Sequence, residues 1–384
     1  VIIHSLTPRR FRNLADARLE FSPRANFVSG RNGQGKTNLL EALYWLIAVR
    51  GKRGTTAECT RTGESGFRLE GEMTFGELNH SVSLAVEGRS RKLLIDGTAA
   101  RRRRDYLEQT LVVDFFPEDL LILLMEPSLR RRFLDLACAQ YYLPHEEVLS
   151  RFKRLLEQRN SILRSENGPD PAVLASYDVP YAESAALVTS ARLHMLAALG
   201  EWTNRIFRDG IGESCDASLV YMPSLAGIPS TPPPAPPAPP APPDHPPDPE
   251  PFRAIYLDSL KRMRRREIEA RRTLVGPHRD DWGMTLDGME IRSFGSRGEV
   301  RSAMFALHLA RFHVLTQKRG ISPVVLIDDV MSELDSTRRI RVLELLPPGQ
   351  VFLTSCDPPP ELRRFCDGEL AHFEMDEGRA IRIA

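Results

Sequence analysis

The sequence predicts an α/β protein, a mixed sheet with flanking helices joined to a mainly helical region. Three observations carry that prediction. A short apolar run, Asn26-Phe27-Val28-Ser29, enters a glycine-rich turn and then a helix-patterned stretch. A second apolar run, Pro323–Ile327, ends on two aspartates. Between them, helical periodicity dominates from about Glu118 to Phe207.

The elements follow in order. The first 26 residues alternate apolar and polar at strand spacing, with Arg9, Arg10 and Arg12 between two segments. After the turn at Gly30–Gly35, Asn38–Val49 reads as a helix with a nearly continuous apolar face. Arg68–Met73, Ser81–Val86 and Lys92–Gly97 read as an antiparallel meander, and Leu111–Phe115 as a further strand. Leu129–Tyr142, Pro144–Leu163 and Pro171–Phe207 read as long amphipathic helices, an arm outside the sheet. Phe252–Thr273 is helical and basic, Met284–Arg292 strand-like, Gly298–Gln317 a strong helix, and Val351–Thr354 a last buried strand. Residues 229–251 hold 14 of the 30 prolines, so this stretch is expected as an exposed extended insertion. The domain expectation is a first domain made of 1–115 and 270–384, with a helical arm over 116–269 containing that insertion.

Composition excludes several classes. Basic residues number 52 against 51 acidic, so a uniformly basic nucleic-acid coat is ruled out and any such contact must be a local patch. Only six of the 52 are Lys, so arginine is too common here for any one Arg to be functional by type. The five cysteines show no metal-ligand or CxxC spacing, which speaks against a zinc site or a disulfide framework. No apolar run approaches the ~18 residues that cross a bilayer, and the first residues lack a signal-peptide pattern, so a cytoplasmic protein is expected.

Gly30-Arg31-Asn32-Gly33-Gln34-Gly35-Lys36-Thr37 fits G-x-x-x-x-G-K-[ST] at every defined position. Glycines let backbone N–H groups turn toward phosphates at a helix N-terminus, the lysine reaches the β- and γ-phosphates, and the threonine hydroxyl suits Mg²⁺. The spacing therefore points to ATP with Mg²⁺ as cofactors. Asp328, at the end of its strand, is expected in the Mg²⁺ shell with Thr37. Asp329 stands where a carboxylate can orient or deprotonate water, which makes Lys36 and Asp329 the candidate catalytic pair. Ser296-Arg297-Gly298 opens the strong helix. It is a second anion site or an ordinary cap, and as an anion site it would bind ATP held by a second subunit.

These stretches together resemble the RecF family of ABC-type ATPase heads. The resemblance lies in Phe11-Arg12-Asn13, Gly30–Asn38 with Leu39–Tyr44, Phe116–Leu120, Arg131–Asp135, Gly276-Pro277-His278-Arg279-Asp280-Asp281, Ser296–Glu299 and Asp328–Asp335, in order over nearly the whole chain. It implies an ABC-type ATPase head with a helical arm, with nucleotide held by Gly30 through Asn38, and by Ser296 and Gly298 in trans. It further implies an ATP-dependent homodimer on gapped or junction DNA that works with RecR and RecO to load a RecA-type recombinase, with slow, DNA-stimulated hydrolysis, in DNA-damage repair and the SOS response. Rival readings are a non-hydrolysing ATP-binding clamp and another SMC-like head.

The chain departs from the family pattern in places. Ser296-Arg297-Gly298-Glu299-Val300 replaces Ser-Gln-Gly-Gln-Gln. Arg50–Gly54 replaces a Ser-Phe-Arg element, Pro8 and Arg10 are unusual, and Thr354-Ser355 stand in the switch after Leu353 in place of a His. The basic clusters Arg101–Arg104, Arg130–Arg132, Lys261–Arg266 and Arg271-Arg272 are solvated faces or DNA-backbone contacts. His278 and Arg279 either face nucleotide or a partner subunit, or fix a turn.

Overall fold

The computed structural model describes residues 1–383 except 166–167, 209–214, 231–247, 330–338, 342–343, 346–347 and 357–369. Most of the proline-rich stretch, Ser332–Asp335 and Cys366 lie outside the described residues. Among the described residues, no helix is long and apolar enough to cross a membrane.

In chain order the elements are β1 (Ile2–Arg9), β2 (Leu19–Glu20), β3 (Ala25–Ser29), α1 (Lys36–Ala48), α2 (Thr56–Cys59), β4 (Gly66–Phe75), β5 (Leu78–Glu87), β6 (Ser90–Ile95), β7 (Thr98–Ala99), α3 (Arg103–Gln109) and β8 (Val112–Phe115). There follow α4 (Leu120–Leu124), α5 (Pro127–Tyr141), α6 (His145–Leu163), α7 (Pro171–Ser176), α8 (Asp178–Ile206), β9 (Ala217–Met222), α9 (Glu250–Ala270), β10 (Asp281–Leu286), β11 (Met289–Glu290), α10 (Ile291–Phe294) and α11 (Arg297–Arg319). The chain ends through β12 (Val324–Asp328), β13 (Val351–Thr354), β14 (Leu370–Asp376) and β15 (Arg379–Arg382).

The chain forms two compact units. The first comprises Val1–Asp119 with Leu315–Ala384, the second Leu120–Val314. Residues 270–314, expected with the first domain, thus fall in the second unit. The reason is strand pairing: β10 pairs along its whole length with β9, and Arg130 of α5 grips Asp281.

The first unit holds two sheets. One is antiparallel, in the order β2-β1-β4-β5-β6-β7. The other runs β15-β14-β3-β13-β12-β8, parallel except for β15. Their apolar faces meet on α1. Leu39, Leu40, Leu43 and Leu46 are fully buried in one core with Ile3, Leu69 and Leu84 of the first sheet and Val28, Leu326 and Phe352 of the second. This explains why α1 is apolar nearly all round: it is wanted on both sides. The hairpins are tight. Gly76-Glu77, Asp96-Gly97 and Glu377-Gly378 each have positive φ at both turn residues, the geometry that matches strand twist and that Asp-Gly signals.

The second unit contains α4–α10, most of α11 and the sheet β11-β10-β9. The unit is mainly helical, as expected of the arm, and the sheet adds β9, a strand absent from the sequence reading. Two elements also differ in detail. Pro171–Phe207 is two helices, because the chain breaks at Tyr177 between α7 and α8. Met284–Arg292 is a hairpin turning at Asp287-Gly288 and then a helical turn, not one strand.

Candidate nucleotide site

The glycine-rich turn leaves β3 and enters α1, as its spacing predicted. Gly30 (φ 143°) and Gly35 (φ 115°) have backbones that other residues rarely adopt. Gly30 has a second constraint: a Cβ there would stand 2.4 Å from the Met375 carbonyl oxygen. The turn between β14 and β15 braces the loop from one side. Gly378 N donates to Gln34 O (2.8 Å) and Glu377 N donates to Gln34 Oε1 (2.6 Å). Asn13 braces it from the other, donating to Gln34 O (3.3 Å) and accepting from Asn38 Nδ2 (2.7 Å).

Lys36 is buried to 6% exposure, and its ammonium donates to the carbonyls of Gly30 (2.6 Å) and Arg31 (3.1 Å). Its charge is thereby held inside the curve of the loop. Thr37 Oγ1 donates to Asp328 Oδ2 at 2.7 Å, although 291 positions separate them. Sheet order makes this possible: β13 lies between β3 and β12, and parallel pairing in register brings all three strand ends to the same edge. Thr354 of β13 donates to Asp328 Oδ1 (2.6 Å) and accepts from Asp329 N (3.0 Å), so one side chain orients both aspartates. Burial pushes the Asp328 carboxyl above its ordinary range, against the pull of Thr354, Thr37 and Arg53. Asp329 has φ 46°.

Sequence reasoning missed the charged ring beneath this edge. Arg53, in the segment that departs from the family pattern, reaches Glu118 (2.9 Å), Asp328 (3.5 Å) and Glu41 (3.7 Å) and lies 4.5 Å over the Phe116 ring. Arg12 pairs with Glu41 at 2.6 Å. Burial raises the Glu41 pKa, and the two arginines oppose that rise. Lys52 sits between Asp114 and Asp119. Burial alone would lower its pKa, but the two carboxylates outweigh it and hold the ammonium charged. The only local signal for this ring was the recurrence of Phe11-Arg12-Asn13, Glu41 and Phe116–Leu120 in the family pattern.

In the second unit, Ser296 caps α11. Glu299 N donates to Ser296 Oγ (3.2 Å), and Ser296 N donates to Glu299 Oε2 (2.6 Å), a reciprocal capping box. Glu299 thus binds one of the N–H groups through which a helix start holds an anion. Gly276–Asp281 has its place here too. A Cβ at Gly276 would stand 2.1 Å from the Tyr181 hydroxyl, and that hydroxyl donates to Val275 O (2.6 Å). Asp280 accepts from Tyr221 Oη (2.7 Å) and from Ser224 N (2.8 Å). Arg130 grips Asp281 through two bonds of 2.8 and 2.7 Å. Of the two roles weighed for His278, the turn is the one with visible bonds: it faces Tyr181 Oη and Thr273 O, both at 3.4 Å, and burial lowers its pKa to about 4. Arg279 is exposed. Arg130, 2% exposed and paired, is not a surface cation.

The chain is similar to known proteins in sequence and fold. The model of the RecF/RecN/SMC N terminal domain family matches residues 2–356. Proteins named DNA replication and repair protein RecF are 34% identical in Heliobacterium modesticaldum and 30% identical in Streptococcus pneumoniae, each over 92% of both chains. The Myxococcus xanthus protein of that name is 33% identical over 90% of this chain and 88% of its own. Among solved structures, the recombination mediator protein RecF-ATPrS in the RecFOR pathway superposes with a TM-score of 0.85 at 25% identity, covering 100% of this chain and 98% of that one. An Smc head bound to the C-winged helix domain of ScpA shares the fold, with a TM-score of 0.52 at 13% identity. With its phosphate loop, its strand-end aspartates and these relatives in agreement, the chain belongs to the RecF/RecN/SMC N terminal domain family and has the ABC-type ATPase head fold.

Proposed function

We propose that this chain is an ATP-dependent DNA-binding ATPase of recombinational repair and replication-fork maintenance. In this reading it binds gapped or junction DNA as an ATP-sandwiched homodimer and helps RecO and RecR load a RecA-type recombinase. The observation that carries the reading is the Thr37–Asp328 bond beside the buried Lys36, in a chain whose relatives include a RecF solved with a nucleotide.

The residues fit Mg·ATP. A hydroxyl and a carboxylate oxygen in mutual hydrogen bond are the hard oxygen donors that Mg²⁺ takes. Mg²⁺ bound there would supply positive charge to offset that of the phosphates. Gly30 through Asn38 bind the triphosphate, with Lys36 as its fixed cation. Thr37 and Asp328 would hold the metal, and Thr354 orients Asp328. Asp329 takes a proton from the attacking water. Ser296 and Gly298 receive the γ-phosphate held by a second copy.

Nucleotide-dependent dimerisation tests this. The two nucleotides differ by the γ-phosphate, so ATP with Mg²⁺ should give dimers in sedimentation and ADP should not. Ser296→Arg should bind ATP as the parent does and remain monomeric. Dimers of Ser296→Arg at the parent's concentration would reduce the turn to a helix cap.

A further inference from the structure

Thr354, at the end of β13, is 1% exposed, and its hydroxyl is engaged twice. The Asp329 amide can only donate, so at 3.0 Å it takes a lone pair of the Thr354 oxygen. The hydroxyl proton is then turned to Asp328 Oδ1, 2.6 Å away. Register holds the pair in place, since Asp328 and Thr354 stand opposite each other on β12 and β13. The other carboxylate oxygen, Oδ2, faces the phosphate loop. Thr37 Oγ1 donates to it at 2.7 Å, and Arg53 lies 3.5 Å from it. Among the described residues, Asp328 therefore presents one oxygen to the loop and has the other fastened to its own sheet.

We propose that Thr354 determines metal specificity: by holding Asp328 Oδ1 it leaves Oδ2 as the single oxygen for a metal, and that selects Mg²⁺ over Ca²⁺. The small octahedral shell of Mg²⁺ has little room for a carboxylate that binds through both oxygens. Ca²⁺ is larger, takes about six to eight oxygens in flexible geometry, and gains from a carboxylate that offers both. To take both oxygens of Asp328, Ca²⁺ must first break the Thr354 bond inside a buried site, where the hydroxyl has no solvent to turn to. Arg53 does not impose this choice, because it lies on Oδ2 and so opposes either cation alike. Thr354 acts through Asp328 and is a positioning residue. The proposal rests on Thr37 and Asp328 being the metal site of the proposed function.

The test uses the full chain and reads ATP binding at equilibrium as Mg²⁺ or Ca²⁺ is raised, so that no turnover is needed. The parent should reach half-saturation at a lower concentration of Mg²⁺ than of Ca²⁺. Thr354→Val keeps the shape and removes the hydroxyl, while Asp329 N retains its bond to the carbonyl of residue 354 (3.1 Å). In that variant the ratio of the two half-saturating concentrations, Ca²⁺ over Mg²⁺, should fall by about tenfold, the size of one hydrogen bond to a charged group. Thr354→Ser, which keeps the hydroxyl, should restore the parent ratio. A structural role alone would weaken binding with both metals and leave the ratio where it was. Half-saturation of the parent at equal Mg²⁺ and Ca²⁺ would overturn the proposal without recourse to a variant. An unchanged ratio in folded Thr354→Val, or Thr354→Ser behaving like Thr354→Val, would also overturn it. ATP binding by the parent that needs no divalent ion would overturn the metal site itself, and the proposal with it.

Discussion

The two adjacent aspartates have different surroundings, and the difference predicts different phenotypes. Asp328 is 3% exposed and bound on both oxygens, by Thr37 and Thr354. Burial makes its charge costly until a cation shares it, which suits a metal ligand. Asp329 sits one residue past the strand, with its main chain held by Thr354 and turned to φ 46°. Asp328→Asn should therefore weaken Mg²⁺-dependent ATP binding by at least about 10–100-fold, the cost of losing even a group that only supports a metal ligand. Asp329→Asn should bind ATP within about twofold of the parent and hydrolyse it about 10²–10⁴-fold more slowly, the usual worth of a general base. Equilibrium binding and single-turnover hydrolysis separate the two, and parent-rate hydrolysis by both variants would contradict the assignment.

At the scale of elements, the Gly276–Asp281 turn shows how a family motif can be architectural. It is tied to α5 by Arg130 and Arg131, to α8 by Arg192 and by Tyr181, which meets His278, and to β9 by Tyr221. His278 lies among Tyr181, Arg279, Asp280 and Arg131, and burial holds it neutral to about pH 4. The unfolded chain takes up that proton near pH 6.5, so the contribution is complete above 6.5 and is lost as the pH falls toward 4. At about 1.4 kcal/mol per pKa unit, the second unit should lose about 2 kcal/mol between pH 7 and pH 5 through this residue. Urea unfolding at the two values measures it. His278→Gln should flatten that interval, and an unchanged slope would show that His278 is protonated in the folded protein.

For the whole molecule, a near-neutral chain confines any polyanion contact to patches. The described side chains sort the basic clusters. Arg130 is buried and paired, Arg103 donates to Ala48 O, and Arg104 is engaged with Glu108. Arg262 and Arg265 of α9 are balanced by Asp258 and Glu269, while Arg271 and Arg272 at its end are exposed. DNA binding in the proposed function should weaken steeply with salt. Replacing Arg271 and Arg272 by Ala should reduce the slope of log K against log salt by about 2, near one unit for each phosphate no longer neutralised. An unchanged slope would move the DNA-binding surface to another face.

The sequence by itself determined what is encoded in neighbouring residues. The strand, glycine-rich turn and helix at 26–49 were legible because phosphate-loop backbone geometry needs glycines and a lysine at set spacing. The meander at 66–95 was legible because alternation has period two and Gly or Asp-Gly sits at each turn. The tertiary structure alone decided which distant side chains meet. Thr354 orients both aspartates only because β13 lies between β3 and β12, an order that no local pattern states. Arg53 and Arg12 converge on Glu41 only because the two sheets close over α1. The same reason hid β9, whose six residues become a strand through full-length pairing with β10, some sixty positions away. It also hid the burial of Arg130, which reads as one of three solvated arginines until Asp281 is placed beside it.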